Sequence, residues 1–296
     1  MGRFFKSFFI TFLVIVLLFV GPISFFVLKN HIENPQDFFS EINNGSKNVS
    51  FLLLGVDSLD SNTDSNTRSD TIMVVNMNLE NGDVNLISIP RDTYASIDGY
   101  GKQKINHSYN YGGPELTLKT VNNLLGTNVE HYVTLSYGFV GDVVDIVGGV
   151  DVDVPMDMDY EDEWADPPLK IHLKAGEQTL DGDKAMQFLR FRKGYADQDL
   201  SRVQAQQQFV SSFLDKLKSP MTVLKAPALL RSYDKNTKTN LPFSQVVKIG
   251  LNVGKLSKDS INAQTLPGSP SYKNKISYFF IDENATGTLL REVGLK

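Results

Sequence analysis

The sequence predicts an α/β fold: one domain on a central mixed sheet covered on both faces, preceded by one N-terminal transmembrane helix. Three observations lead there. The chain opens with a long uncharged apolar run. Its later apolar runs are short, rich in β-branched residues and bounded by turn residues, and segments with helical spacing alternate with them. With 41% hydrophobic and 21% charged residues among 296, the composition is that of a folded protein rather than a disordered one.

The opening run covers residues 8–28, 21 positions without a charge. At about 1.5 Å per residue it reaches roughly 30 Å, the hydrocarbon thickness of a bilayer. It exceeds the apolar core of a cleaved signal peptide, about 7–15 residues, and no A-x-A-like site follows, which favours an anchor. Gly21 and Pro22 are tolerated in membrane helices. Arg3 and Lys6 precede the run and Lys29 follows it, so the basic-residue bias puts the N-terminus in the cytoplasm and the remainder outside. The expected organisation is a cytoplasmic tail over 1–7, an anchor over 8–28, a polar linker over 29–48 and an extracellular domain over 49–296.

Within that domain, residues 49–56, 71–77 and 84–89 read as strands. Asn81-Gly82 predicts a tight two-residue hairpin between the last two, because such a turn needs positive φ at its centre. Residues 114–125 have helical spacing and open with Pro114, where a missing N–H costs nothing. Strands at 131–136 and 150–154 flank an apolar helix at 139–147. A helix over 182–189 runs into Arg190-Phe191-Arg192. Another over 201–218 has a capping-box pattern at Ser201 and Gln204, with Val203, Phe209, Val210, Phe213, Leu214 and Leu217 as its apolar stripe. Helices at 219–230 and 243–251 and a strand at 276–281 complete the reading.

Several function classes fall away. A net charge of −5 and a pI near 5.4 do not fit a dedicated nucleic-acid binder. The absence of cysteine removes disulfides, thiolate metal sites and thiol nucleophiles. No phosphate-binding glycine loop, G-x-S-x-G elbow or H-E-x-x-H occurs. Asp60-x-Asn62-x-Asp64 imitates the start of an EF-hand but has Ser65 and Thr71 where that loop needs glycine and glutamate.

Arginine and aspartate at strand ends remain. Beyond residue 29 the chain has 26 basic and 34 acidic residues, a balance of −8, yet five of its eight arginines fall at Arg68, Arg91, Arg190, Arg192 and Arg202. Asp57 follows the first strand, Arg68 and Asp70 immediately precede the second, and Arg91 and Asp92 follow the third. Ligands of α/β sheets bind in the crevice at strand ends, so these groups converge if strand order allows. Arg190 and Arg192 share a face if their segment is extended, and Arg202 and Gln206 share a helix face. A lone Arg–Asp neighbour pair is ordinarily a surface ion pair worth about 0–1 kcal/mol. Five arginines together suit a highly charged anion such as a pyrophosphate, since guanidinium forks pair bidentately with phosphate oxygens. The aspartates fit such a site if they hold Mg²⁺, or Mn²⁺ as its alternative.

Ordered motifs then identify a resemblance. They are Leu53-Leu54-Gly55-Val56-Asp57, Arg68-Ser69-Asp70-Thr71, Ser88-Ile89-Pro90-Arg91-Asp92-Thr93, Lys104-Ile105-Asn106, Gly112-Gly113 and Gly148-Gly149-Val150 leading to Val154-Pro155. Gly176-Glu177-Gln178-Thr179-Leu180-Asp181-Gly182, Arg190-Phe191-Arg192 and Asp199-Leu200-Ser201-Arg202 with Gln206-Gln207 complete the set. In this order, over more than half of the chain, they resemble the LytR-CpsA-Psr (LCP) family of bacterial cell-wall enzymes. The resemblance implies an α-β-α layered domain outside a Gram-positive cell membrane, anchored by one span. It implies transfer of a glycopolymer, teichoic acid or capsule-like, from undecaprenyl pyrophosphate to a muramic-acid hydroxyl of peptidoglycan, with the lipid tail in an apolar tunnel. Carried over by motif, Asp57 and Asp70 are the metal carboxylates. Arg68, Arg91, Arg190 and Arg192 clamp the pyrophosphate, and Arg202 and Gln206 complete the pocket. Asp57, Arg68 and Arg91 form the catalytic set, with Asp57 assisting deprotonation of the acceptor. Ala205 stands where many members have a second arginine, and Ser201 where glycine is frequent. A lipid-pyrophosphate hydrolase and a non-catalytic polyprenyl-lipid binder or regulator are the alternatives.

Overall fold

The computed structural model describes residues 46–56, 69–163, 169–191, scattered positions between 205 and 225, and residues 226–252 and 261–296. These gather into two compact units, one drawn from residues 138–235 and one from the stretches before and after them. The sequence pattern reads as a single domain. The inserted stretch forms its own unit because it carries its own large apolar groups: Phe139, Phe188, Phe209 and Phe213 are all almost completely buried.

The first unit holds a six-stranded sheet. Its strands are β1 (Asn48–Val56), β2 (Ser69–Asn78), β3 (Val84–Ser88), β6 (His131–Ser136), β11 (Thr237–Thr239) and β12 (Ile261–Thr265). Their order is β11-β6-β1-β2-β3-β12. β1 and β3 pair antiparallel with β2, and β11 antiparallel with β6, while β1–β6 and β3–β12 are parallel, so the sheet is mixed as expected. From Phe51 to Val56 every residue of β1 is buried, the mark of a strand covered on both faces. One face carries Leu52, Leu54, Val56, Ile72, Val74 and Ile87 in a common core with Val121 and Leu125 of α1 (His107–Leu125) and Leu289 and Leu290 of α6 (Glu283–Glu292).

Local chemistry explains where expectation and structure differ. β2 and β3 form a hairpin, but not through a two-residue turn. The Asn78 N–H donates to the Asp83 carbonyl (2.8 Å) and the Gly82 N–H to the Asn78 carbonyl (2.9 Å). Of the Asn81-Gly82 pair only Gly82 has positive φ (81°). The Asn78 side chain accepts the Glu80 N–H at 2.9 Å, and this capping favours the longer loop. The two-residue turn with positive φ at both centres occurs instead at Asn274 (52°) and Lys275 (65°), joining β13 (Gly268–Lys273) to β14 (Ile276–Ile281). In α1, Gly112 and Gly113 are non-helical (φ −157° and 65°), so the regular helix restarts at Pro114. A further hairpin, β4 (Tyr94–Ile97) with β5 (Gly101–Lys104), and α5 (Phe243–Asn252) complete this unit.

The second unit contains α2 (Tyr137–Val147) from Gly138 onward, antiparallel β7 (Val150–Val154) with β10 (Gly176–Leu180), and antiparallel β8 (Met158–Asp162) with β9 (Leu169–Leu173). It also contains α3 (Gly182–Arg190) and α4 (Ala226–Asn236) up to Lys235. Two glycines let α2 and α3 touch: a Cβ on Gly182 would run into the Gly141 carbonyl. The Asp145 carboxylate accepts the Gly182 N–H at 2.7 Å, and Asp181 caps α3 by accepting the Lys184 N–H at 2.9 Å. Positions 205, 208, 209, 211–213, 215 and 216 are helical, in agreement with the helix expected over 201–218. The helix expected at 219–230 becomes continuous only at Ala226 and runs on to Asn236.

Candidate functional site

β1, β3, β6 and β12 share one direction, so Val56, Ser88, Ser136 and Thr265 end at one edge of the sheet. Antiparallel β2 begins at that edge, with Ser69 paired to Val56. Strand order therefore allows the convergence expected from the sequence for the described groups: the start of β2 with Asp70, and Arg91 just after β3. Asp57 and Arg68 are the chain neighbours of Val56 and Ser69 and lie outside the described residues, as do Arg192, Arg202 and Gln206.

The register slips at this edge. Gly55 pairs with Thr71 and Val56 with Ser69, which leaves Asp70 as the extra residue of a β-bulge. Bulges bend a strand, break its in–out alternation and recur beside active sites. Glycine is required next to it: a Cβ on Gly55 would lie 2.7 Å from the Thr71 Cβ.

Arg91 sits on a turn held from three sides. The Thr93 N–H and Oγ1 both donate to the Pro90 carbonyl, at 2.9 and 2.6 Å. The Asn106 N–H donates to the Arg91 carbonyl at 3.3 Å, and the Phe279 N–H of β14 to the Asp92 carbonyl at 2.9 Å. The Arg91 side chain is exposed. Its neighbour Asp92 directs its carboxylate to Lys104 at 2.7 Å. The backbone here is fixed by these hydrogen bonds, which holds the position of Arg91 at the strand end, as binding of an anion by a preorganised group requires.

Arg190 belongs to the other unit. It is the last residue of α3, half-buried, at the helix end where a cation complements the backbone dipole. The expected extended segment through Arg190 and Arg192 is corrected here. Arg190 is helical, and the chain turns extended only at Phe191 (φ −65°, ψ 129°), which is buried and donates its N–H to the Gln187 carbonyl. Ala205, where the resemblance leads one to expect a second arginine, is helical and only 5% exposed, so it packs a methyl inward.

Further polar groups lie at the start of α1: Asn106, from the Lys104-Ile105-Asn106 motif, which meets the Arg91 turn through its backbone, and Asn110, which no sequence pattern selects. The side-chain oxygens of Asn106 and Asn110 are buried without a hydrogen-bond partner among the described residues. Four positions apart at the start of α1, they face the same way. The Ser69 hydroxyl is in the same condition. An unmet buried acceptor costs roughly 1–3 kcal/mol, so such atoms mark places where an incoming O–H or N–H is favourable. Deeper in, the Tyr132 hydroxyl donates to Glu115 at 2.7 Å, and burial followed by that carboxylate pushes it up to about 12. Burial also raises Tyr109. Among the described residues no group of three or more histidines and carboxylates could hold a metal, and no helix is long and apolar enough to cross a membrane. The expected anchor at 8–28 lies outside the described residues.

Comparison with known proteins gives a consistent picture. The model of the LytR_cpsA_psr family matches residues 28–293. The chain is 32% identical over 294 residues to the polyisoprenyl-teichoic acid–peptidoglycan teichoic acid transferase TagT of Bacillus subtilis, covering 95% of this chain and 90% of that one. It is 31% identical over 270 residues to the regulatory protein MsrR of Staphylococcus aureus, covering 89% and 76%. Among solved structures, B. subtilis TagV superposes with a TM-score of 0.61 at 28% identity, over 84% of this chain and 98% of that one. A structure described as TagT bound to LIIa-WTA gives 0.61 at 30% identity, over 84% and 90%. Sheet, motifs and matched length agree: the chain belongs to the LytR_cpsA_psr family.

Proposed function

We propose that this chain is a phosphotransferase that moves a polyprenyl-pyrophosphate-linked glycopolymer onto a peptidoglycan hydroxyl. The observation that carries the reading is the sheet edge where Asp70, on a β-bulge, and Arg91, on a clamped turn, are brought to adjoining strand ends. Membership of a family whose relatives are named as teichoic acid transferases supports the chemistry.

In the proposed reaction the acceptor hydroxyl attacks the phosphorus that bears the polymer. The bridging P–O bond breaks, polyprenyl monophosphate leaves with the electron pair, and the polymer ends in a phosphodiester. Arg68, Arg91, Arg190 and Arg192, with Arg202 and Gln206 by motif, bind the pyrophosphate and hold the charge that gathers on the leaving phosphate. Two carboxylates are hard oxygen donors of the kind Mg²⁺ or Mn²⁺ takes, and the bulge at Asp70, one residue from the partner of Val56, fits that assignment for Asp57 and Asp70. The bound ion would supply charge neutralisation at phosphate oxygens. Asp57 receives the acceptor's proton. Residues 8–28 anchor the chain with its N-terminus in the cytoplasm, and the domain over 49–296 works outside.

Acceptor dependence tests the reading. Incubated with a labelled lipid-linked polymer, the full chain should release polyprenyl monophosphate only when peptidoglycan is present, with label entering the peptidoglycan. Equal release without acceptor would replace the transferase by a hydrolase. Lipid binding with no release under any condition would leave a binder.

A further inference from the structure

The sheet edge that carries Arg91 also carries an aromatic and cationic surface that the reaction does not use. After β12, the Leu266 N–H donates to the Ser88 carbonyl (3.0 Å) and the Asp282 N–H to the Pro267 carbonyl (2.9 Å). These bonds root the β13–β14 hairpin at the edge beside the Arg91 turn. Thr93 bridges to Phe279, which ties the hairpin to that turn a second time. Across the hairpin Lys273 pairs with Ile276 and Ser271 with Tyr278, so Lys273, Tyr278 and Phe280 share one face. That face meets Tyr94 of β4, with ring centroids 4.9 Å from Tyr278 and 5.3 Å from Phe280. The Lys273 ammonium lies 4.5 Å from the Tyr94 centroid and donates to its hydroxyl at 2.8 Å, and Lys102 approaches the same ring at 5.9 Å.

The charge of this surface is out of character for the chain. Between residues 268 and 281 there are two lysines, Lys273 and Lys275, and no acid, within a chain of net charge −5. Lys102, Lys273 and Lys275 are exposed, and none has a carboxylate partner among the described residues. Of the acids nearby, Asp98 pairs with Lys119, Asp92 pairs with Lys104 and Asp282 caps α6, while Glu283 follows the root of the hairpin, away from its lysine-bearing turn. Half-buried rings beside ammonium groups that no described carboxylate neutralises suit a polymer that alternates C–H-rich units, which pack on aromatic faces, with phosphates, which pair with lysine. A neutral glycan would use the rings and leave the lysines idle.

We propose that the β13–β14 hairpin and Tyr94 with Lys102 form a docking surface for the phosphate-rich polymer of the donor, adjoining the pyrophosphate site. The polymer's role as donor rests on the transferase reading, but its docking can be measured without turnover. Isothermal titration of the full chain in zwitterionic nanodiscs with soluble poly(glycerol phosphate), free of lipid, is the test. Lys102→Gln/Lys273→Gln and Lys273→Gln/Lys275→Gln change exposed side chains and should each weaken binding about tenfold at low ionic strength. The difference should close as salt is added, while Lys47→Gln on a remote exposed pair should have no effect. Unchanged affinity in both double variants would overturn the proposal. So would equal binding of a neutral oligosaccharide, or flotation with anionic vesicles that depends on the same lysines. Failure here leaves acceptor-dependent transfer untouched, so the two readings fail separately.

Discussion

Gly55→Ala tests whether the bulged end of the β1–β2 pair positions the chemistry. The added Cβ would stand 2.7 Å from the Thr71 Cβ and 3.0 Å from its Oγ1, whereas ordinary contact begins at 3.4 Å. The strands must therefore part by about 0.7 Å, the gap between those distances, at the pair next to Asp70. Overpacking of this size costs about 1–3 kcal/mol. For a domain of this size that lowers Tm by roughly 2–4 °C per kcal/mol. Misplacement approaching 1 Å in a reacting site costs about 100-fold in rate, so transfer should fall far more than stability. Thr71→Gly in the same chain removes the collision and should restore both, with a coupling above about 0.5 kcal/mol in the double-mutant cycle. Gly99→Ala is the contrast: its φ of 79° predicts strain, yet nothing lies within 4 Å, so it should lower Tm and spare transfer. Scanning calorimetry and the lipid-linked transfer assay read the two effects. A Gly55→Ala enzyme with unchanged Tm and full transfer would refute the reasoning.

Three other outcomes are expected. Asp181→Ala removes the cap of the helix that ends in Arg190 and should cost about 0.5–2 kcal/mol in urea unfolding. Asn76 is buried, donates to the Val293 carbonyl at 2.5 Å and accepts from Ser50 at 2.8 Å, so Asn76→Ala should cost about 1–3 kcal/mol by the same measurement. The Tyr132 hydroxyl is raised to about 12 by burial and Glu115, against an ordinary value of 10. The unfolded chain therefore ionises first: the contribution is intact below pH 10 and lost as the pH rises towards 12. Tyr132→Phe should flatten stability over that window, and a profile parallel to wild type would count against the assignment.

What could be read from the sequence divides along physical lines. Buried strands such as β1 and β6 are continuous β-branched and apolar runs, so period and composition reveal them at once. The convergence of Asp70 and Arg91 needed strand order, which no local pattern encodes, although their placement at strand ends pointed to it. The Asn81-Gly82 turn was misjudged because Asn78, three positions earlier, caps a longer loop. The strand at 276–281 was legible, but its partner β13 and the β4–β5 hairpin were not, since β13 is exposed throughout and β4 and β5 are only four residues each. Their meaning arises from Tyr94 meeting Tyr278, residues far apart in the chain. Asn106 stands in a sequence motif, but the burial of its side-chain oxygen and that of Asn110 without partners among the described residues is a property of packing rather than composition.

The central claim is that carboxylate and arginine side chains of the LCP motifs carry out polymer transfer. Its most direct test is the rate at which purified Asp70→Ala, Arg91→Ala and Arg192→Ala chains move labelled lipid-linked polymer onto peptidoglycan, each first shown to unfold like wild type. The account predicts a loss of about 100-fold or more in each, the scale set by removing one preorganised charge-stabilising group. Near wild-type transfer by all three would contradict it.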